Sequence, residues 1–342
     1  MLAMSVTRAA LESPGISSIR TLQRQLSALM PSAGLAGALS DGPSLEVSSS
    51  PLDLPRLISA VVIEGNALRA RKVEPAIAPG FSAFLDGTQE SRVLSYAHGM
   101  PLIHGKVAAV IRIRSDRRLA TWRHTVAQRL YAPRRLLSAQ WNATLDALAI
   151  DIVDVTSAPD AQGGAAVSEH PFAIRDAAIH SVQADRERVE HRLAEKWCDA
   201  EHEPLFVDGG ISGSDRVART ANAVGVVKTH RTLYAEGDSL QVVFGLREGE
   251  RTSVFRITSP KRTSVASWYL RLRDPSGRDP MWGLVRVEIA DSGDTEAEIR
   301  RRADEVSGWV LAEVSPLALP DGRWDKMVYG IRDCEEFLRA IR

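Results

Sequence analysis

Cysteine is almost missing from this chain: Cys198 and Cys334 are the only two in 342 residues. Two thiols cannot build a disulfide framework, and no CxxC spacing points to a zinc site. Net charge is missing too, because 43 basic side chains balance 43 acidic ones. A neutral chain has no global pull toward nucleic acid or membrane, so any such affinity must come from local patches. No apolar run approaches the roughly 20 residues needed to cross a bilayer. The opening stretch, MLAMSVTRAALESPG, carries charges and turn formers where a signal peptide needs a continuous apolar core. These absences lead to the expectation of a soluble protein of the reducing cytoplasm, with no membrane partner. What is present is a 44% hydrophobic fraction beside 25% charged residues. That is enough apolar material for a real core and too much for wholesale disorder.

Along the chain, residues 17–30 place Ile19, Leu22, Leu26 and Leu29 at helical spacing. A Ser-, Gly- and Pro-rich stretch follows and reads as linker, and 58–64 reads as a short strand. FSAFLD, ending at Asp86, is expected to close a strand, with Gly87-Thr88 as its turn. RVLSYAHG (92–99) and KVAAVIRIR (106–114) then complete an antiparallel meander. Residues 117–148 read as mostly helical, and 149–155 as a strand or a helix end. A long amphipathic helix is expected over 172–199, then a buried strand PLFVD (204–208) and the glycine-rich GGISGSD. A helical stretch at 216–223, strands VGVVKTH, SVFRI, SWYLRLR and GLVRVEIAD, and two helices near 294–312 and 324–341 close the chain. The order implies an α/β fold with a mixed sheet and flanking helices. An irregular helical N-terminal segment (1–75) precedes the main domain (76–342).

Two positions share one local grammar. Asp86 ends an apolar run and precedes Gly87; Asp208 ends PLFVD and precedes Gly209-Gly210. Each arrangement holds an acid at the edge of a sheet, and the glycine lets a phosphate or another backbone come close. Two such carboxylates on neighbouring strands repel each other unless a cation sits between them. Hard divalent ions suit that oxygen-rich setting. The alternative is that each aspartate caps an ordinary Asp-Gly turn. Glu187 and Glu190, on the helix before Asp208, are candidates for a third acid.

FLDGTQ, LFVDGG, VGVVKTH, and SWYLRLR paired with GLVRVEIA resemble, in order and approximate spacing, the NurA nucleases. The likeness covers about residues 80–340. It implies an RNase H-like fold related to the Piwi nuclease domain, and cleavage of DNA with Mn²⁺ or Mg²⁺, two ions being expected. It further implies a HerA-type hexameric ATPase as partner and a homodimer. Carried over, Asp86 and Asp208 match the metal-binding aspartates, and Glu190, with Glu187 as the alternative, matches the glutamate. Lys228, Arg286 and Glu288 match recurrent polar positions. The family's C-terminal histidine is absent from RWDKMVYGIRDCEEFLRAIR, where Asp333 is the candidate substitute and an ordinary surface acid is the alternative. That departure keeps open a catalytically silent DNA-binding scaffold; a Piwi-like nuclease acting on RNA is the enzyme alternative.

Residues 106–135 hold nine basic side chains against the single acid Asp116. Arg112, Arg114, Arg117, Arg118 and Arg123, with Lys228 and Arg286 elsewhere, are candidate nucleic-acid contacts, and Trp122 and Tyr131 could stack on bases. The alternative is a solvated helix face with two core aromatics. Other site classes are unsupported. GGISGSD lacks the Lys-Ser/Thr ending of a P-loop, no serine sits in a GxSxG elbow, and no HExxH occurs. His98 and His104 read as turn and strand-end residues.

Overall fold

The computed structural model describes residues 19–29, 36–37, 55–78, 80–115, 118–156, 169–260, 262–314 and 324–341. The chain begins with α1 (Ile19–Leu29), β1 (Ala36–Gly37), β2 (Arg56–Leu57), β3 (Val61–Val62) and β4 (Ala70–Lys72). Three long strands follow, β5 (Ala83–Ala97), β6 (Met100–Ser115) and β7 (Arg118–Ala132), then α2 (Ala139–Asp146) and β8 (Asp151–Asp154). Next come α3 (Pro171–Ala200), β9 (Leu205–Asp208), α4 (Asp215–Ala218), β10 (Ala223–Val227), β11 (Thr232–Leu233) and α5 (Asp238–Phe244). The last third holds β12 (Glu250–Thr252), β13 (Phe255–Ser259), β14 (Arg262–Arg271), β15 (Leu284–Ala290), α6 (Glu296–Ala312) and α7 (Tyr329–Ala340).

The chain forms two compact units that interleave in sequence. One comprises 1–48, 90–106 and 127–183; the other comprises 49–89, 107–126 and 184–342. In the first, α1 contributes Leu22 and Leu26 to a cluster with Leu94, Leu102, Leu130 and the buried Trp141 of α2. β5 turns into β6 through His98-Gly99, both at positive φ (50° and 83°). A two-residue hairpin turn of that sign matches the natural strand twist.

The second unit is a mixed sheet with helices packed on it. Its strands run in the order β3-β13-β14-β15-β10-β9-β5. β5, β9 and β10 are mutually parallel, whereas β10–β15, β15–β14 and β14–β13 are antiparallel. Helix α6 starts with a reciprocal cap: Thr295 Oγ1 accepts from the Glu298 N–H, and Glu298 Oε2 accepts from the Thr295 N–H at 2.9 Å. Its apolar stripe, Ile299, Ala303, Val306 and Val310, joins Ile331, Cys334 and Leu338 of α7 over Phe84, Phe206, Val224, Val226 and Trp268 of the sheet. Burying each such large side chain contributes about 1.5–3 kcal/mol. The buried Trp268 Nε1–H donates to Ser307 Oγ at 2.8 Å, so this polar atom carries no penalty.

The α/β architecture with a mixed sheet and helices agrees with expectation. Two local expectations do not hold. No turn interrupts the chain at Gly87-Thr88; β5 runs straight through them to Ala97, so Asp86 lies inside a strand rather than at its tip. Residues 118–132 form strand β7 rather than a helix. Its Arg, Leu, Ala and Gln residues favour helix locally, but pairing beside β6 outweighs that preference. The expected linker after α1 lies largely outside the described residues.

Candidate functional site

The second unit brings the two aspartates together. In the parallel pairing of β5 with β9, Leu85 stands opposite Val207. The next step along each strand sets Asp86 beside Asp208, on backbones about 4.8 Å apart. Phe84 and Phe206, two residues earlier, both enter the core shared with α6 and α7. Period-two alternation turns both aspartates to that same face. β10 continues the parallel set with Val226 opposite Asp208. Two residues on, Lys228 Nζ donates to Asp208 Oδ2 at 2.8 Å.

Asp86 is buried, and its Oδ1 accepts from the Gly87 N–H at 2.7 Å. Burial pushes its carboxyl well above the usual range, and the charges of Asp208 and Glu190 push further, against the pull of Lys228. Burial alone would lower Lys228, yet the charges of Asp208 and Asp86 hold it above the ordinary lysine value.

The third acid comes from α3 and reaches β5 at Gly87, on the strand face opposite that of Asp86. Glu190 is buried, and its carboxylate occupies the space where a Cβ at Gly87 would stand. Glycine at 87 therefore serves a close approach, not a turn. Arg186, one helical turn back, donates to Glu190 Oε1 at 2.5 Å and from Nε to Gln89 Oε1 at 3.2 Å. Burial still carries Glu190 up to about 7, with Asp208 and Glu187 adding to the rise. Glu187 lines a neighbouring cavity and does not fill the Gly87 approach.

The second Asp-Gly repeats the device. A Cβ at Gly210 would stand 3.0 Å from Glu288 Oε2. That oxygen accepts from the Ile211 N–H at 2.9 Å, and Glu288 Oε1 accepts from Arg286 at 2.7 Å. The fully buried Glu288 thus anchors the loop that follows Asp208. Arg286 also lies over the Tyr234 ring, 5.1 Å from its centroid.

Asp333 is engaged elsewhere: its Oδ1 accepts from Arg112 Nε at 2.5 Å. Arg112 also bonds Thr121 and the Leu119 carbonyl and lies over Phe337. Arg114 grips Glu313 with two bonds of 2.8 Å and donates to the Phe81 carbonyl. Arg112, Arg114, Lys228 and Arg286 are therefore committed to internal partners and do not present a free basic surface. Arg118 and Arg123 are exposed on β7, with Arg123 over the Trp122 ring. Arg117 lies outside the described residues. Trp122 packs edge-on against Trp197, and Tyr131 is buried, which removes Tyr131 as a stacking platform. Sequence reasoning missed Arg186, His191 and Arg262. Arg186 stands four residues before Glu190 and His191 directly after it, so a helical wheel of α3 was the available signal.

The donor chemistry fits a hard divalent cation, since every candidate ligand is a carboxylate. Among the described residues no three His, Cys, Asp or Glu side chains converge as a ready-made cage. The cation that fits is one that keeps several waters and takes one or two carboxylates plus substrate phosphate, as Mg²⁺ does.

Fold and site together define an α/β protein with two aspartates side by side on a parallel strand pair and a buried glutamate on the neighbouring helix, paired with Lys228 and Arg186. No family model matches the chain, and no curated protein matches it. Among solved structures it is similar to the NurA nuclease from Sulfolobus solfataricus, at 12% identity and a TM-score of 0.46, over 78% of this chain and 82% of that one. No helix among the described residues is long and apolar enough to cross a membrane.

Proposed function

We propose that this protein is a metal-dependent nuclease that hydrolyses phosphodiester bonds in DNA. One observation carries the reading: the buried Asp86 stands beside Asp208 on neighbouring parallel strands, and burial first, then the Asp208 charge, pushes the Asp86 carboxyl well above its usual range. Such a pair is costly without a cation and useful with one. In this reading Asp86 and Asp208 hold Mn²⁺ or Mg²⁺, two ions in all, with Glu190 orienting a bound water. The metal supplies Lewis-acid activation of water and neutralises charge on the phosphate. Lys228 pairs with Asp208 and orients it, and Glu288 fixes the loop behind it. Arg118 and Arg123 offer the exposed positive charge that a phosphate backbone requires. The ordered motifs of the sequence extend the proposal to a homodimer working with a HerA-type hexameric ATPase in the cytoplasm, in DNA end processing or defence against foreign DNA.

The test is linear and plasmid DNA incubated with Mn²⁺, comparing wild type with Asp86→Ala and Asp208→Ala. Cleavage by wild type and its loss in both variants, with DNA binding retained, supports the enzyme. A second reading, a silent DNA-binding scaffold, is favoured by the engagement of Asp333 with Arg112. Wild type that binds DNA but leaves it intact, even with the motor present, selects the scaffold.

A further inference from the structure

Helix α3, the loop after β9 and the start of β14 enclose a cavity of about 140 Å³ in the second unit. Its walls include Glu190, His191, Asp208, Gly209, Gly210 and Arg262. That volume falls well below the roughly 300 Å³ of a site for a drug-sized ligand, and a base with its sugar does not fit. A group the size of a phosphate does.

The walls differ in how their charges are spent. Asp208 and Glu190 already have internal cations in Lys228 and Arg186, and Glu187 is a third acid on the wall. Arg262 has no ion pair or hydrogen bond to a described side chain, yet it lies close enough to act electrostatically on His191. The His191 ring is set against Gly213, where a Cβ would stand 2.9 Å from Nε2, so the glycine loop fixes the ring's position. At Gly209 (φ +141°) nothing stands within 4 Å of a would-be Cβ, leaving open approach to the backbone. A planar guanidinium is well suited to two parallel bonds with a phosphate.

We infer that this cavity seats a phosphate group of the bound strand beside Glu190 and Asp208, gripped by Arg262 and the His191 ring. The inference rests on the nuclease reading and names that site's hold on its substrate. Arg262 and His191 thereby become substrate-binding residues that recognise backbone, not base sequence.

The test uses the full chain and a fluorescent single-stranded oligonucleotide in Ca²⁺, with anisotropy measured between about 50 and 200 mM salt. Arg262→Ala, Arg262→Lys and His191→Gln are compared with wild type, each with a thermal melt. Losing one phosphate contact on a single strand lowers the log–log salt slope by about 0.7. Arg262→Ala is expected to weaken binding about tenfold with that change in slope, equally across oligonucleotide sequences. Arg262→Lys keeps the slope, and His191→Gln weakens binding a few-fold without altering it. Unchanged affinity and slope in a normally melting Arg262→Ala overturns the inference, whether or not wild type cleaves DNA. A slope that depends on Arg262 in a protein that never cleaves overturns the nuclease reading and leaves the phosphate seat standing. No binding by wild type overturns both.

Discussion

Glu190→Gln offers the sharpest test of the carboxylate cluster, because it should make the metal-free protein more stable. A carboxyl with an ordinary value of 4.5 in the unfolded chain is carried to about 7 in the folded one. Below pH 4.5 both states hold the proton and Glu190 costs nothing. Between 4.5 and about 7 the unfolded chain releases its proton first, so stability is lost as pH rises. Above that window the full cost, about 3 kcal/mol from the difference in proton affinity, is present. Glutamine keeps the acceptor toward Arg186 and removes the charge. Urea unfolding in EDTA, followed by circular dichroism, should find the variant about 3 kcal/mol more stable than wild type at pH 8, and less than about 1 kcal/mol more stable at pH 5. Saturating Mn²⁺ should then stabilise wild type at pH 8 more than the variant, by mass action on the folded state. A variant that is less stable at pH 8, or that keeps the wild-type dependence on pH, would refute the argument that Glu190 is held in an unfavourable charged environment.

Two further outcomes are expected. Gly87→Ala drives a Cβ into the space of the Glu190 carboxylate, the movable end of a flexible side chain. Unfolding free energy should shift by less than about 1 kcal/mol, while cleavage falls at least about tenfold. Arg114→Ala strips both bonds from the buried Glu313 carboxylate and should cost about 3 kcal/mol in urea unfolding. Oligonucleotide affinity at temperatures where the variant is folded should be unchanged, which separates a packing role from a nucleic-acid contact.

Local pattern was enough for much of this fold. Alternating and β-branched runs mark β9, β10, β14 and β15, and helical periodicity marks α3, α6 and α7 to within a few residues at most ends. These segments bury one face or both, so their composition carries the imprint of what covers them. The twin Asp-Gly pairs were legible as a repeated pattern, an acid after a largely apolar run and before glycine, although either one alone reads equally as a turn. β7 was not legible, because its residues favour helix and only the neighbouring strand supplies the hydrogen bonds that hold it extended. Gly87 was misread as a turn former, since nothing nearby in sequence announces that Glu190 arrives from a helix about a hundred positions later.

Charge partners were the least predictable feature. Arg112 and Arg114 resemble Arg118 and Arg123 in the linear chain, yet two of the four are bound to Asp333 and Glu313 and two are exposed. Side-chain identity states which groups can pair. Which ones do pair depends on distances between segments hundreds of residues apart, and a Coulomb interaction is set by separation and burial, neither of which a single strand or helix contains. The chemistry of the candidate site was therefore written in residue types, and its arrangement, with Glu190 set against Gly87 and Asp333 bound to Arg112, came from packing.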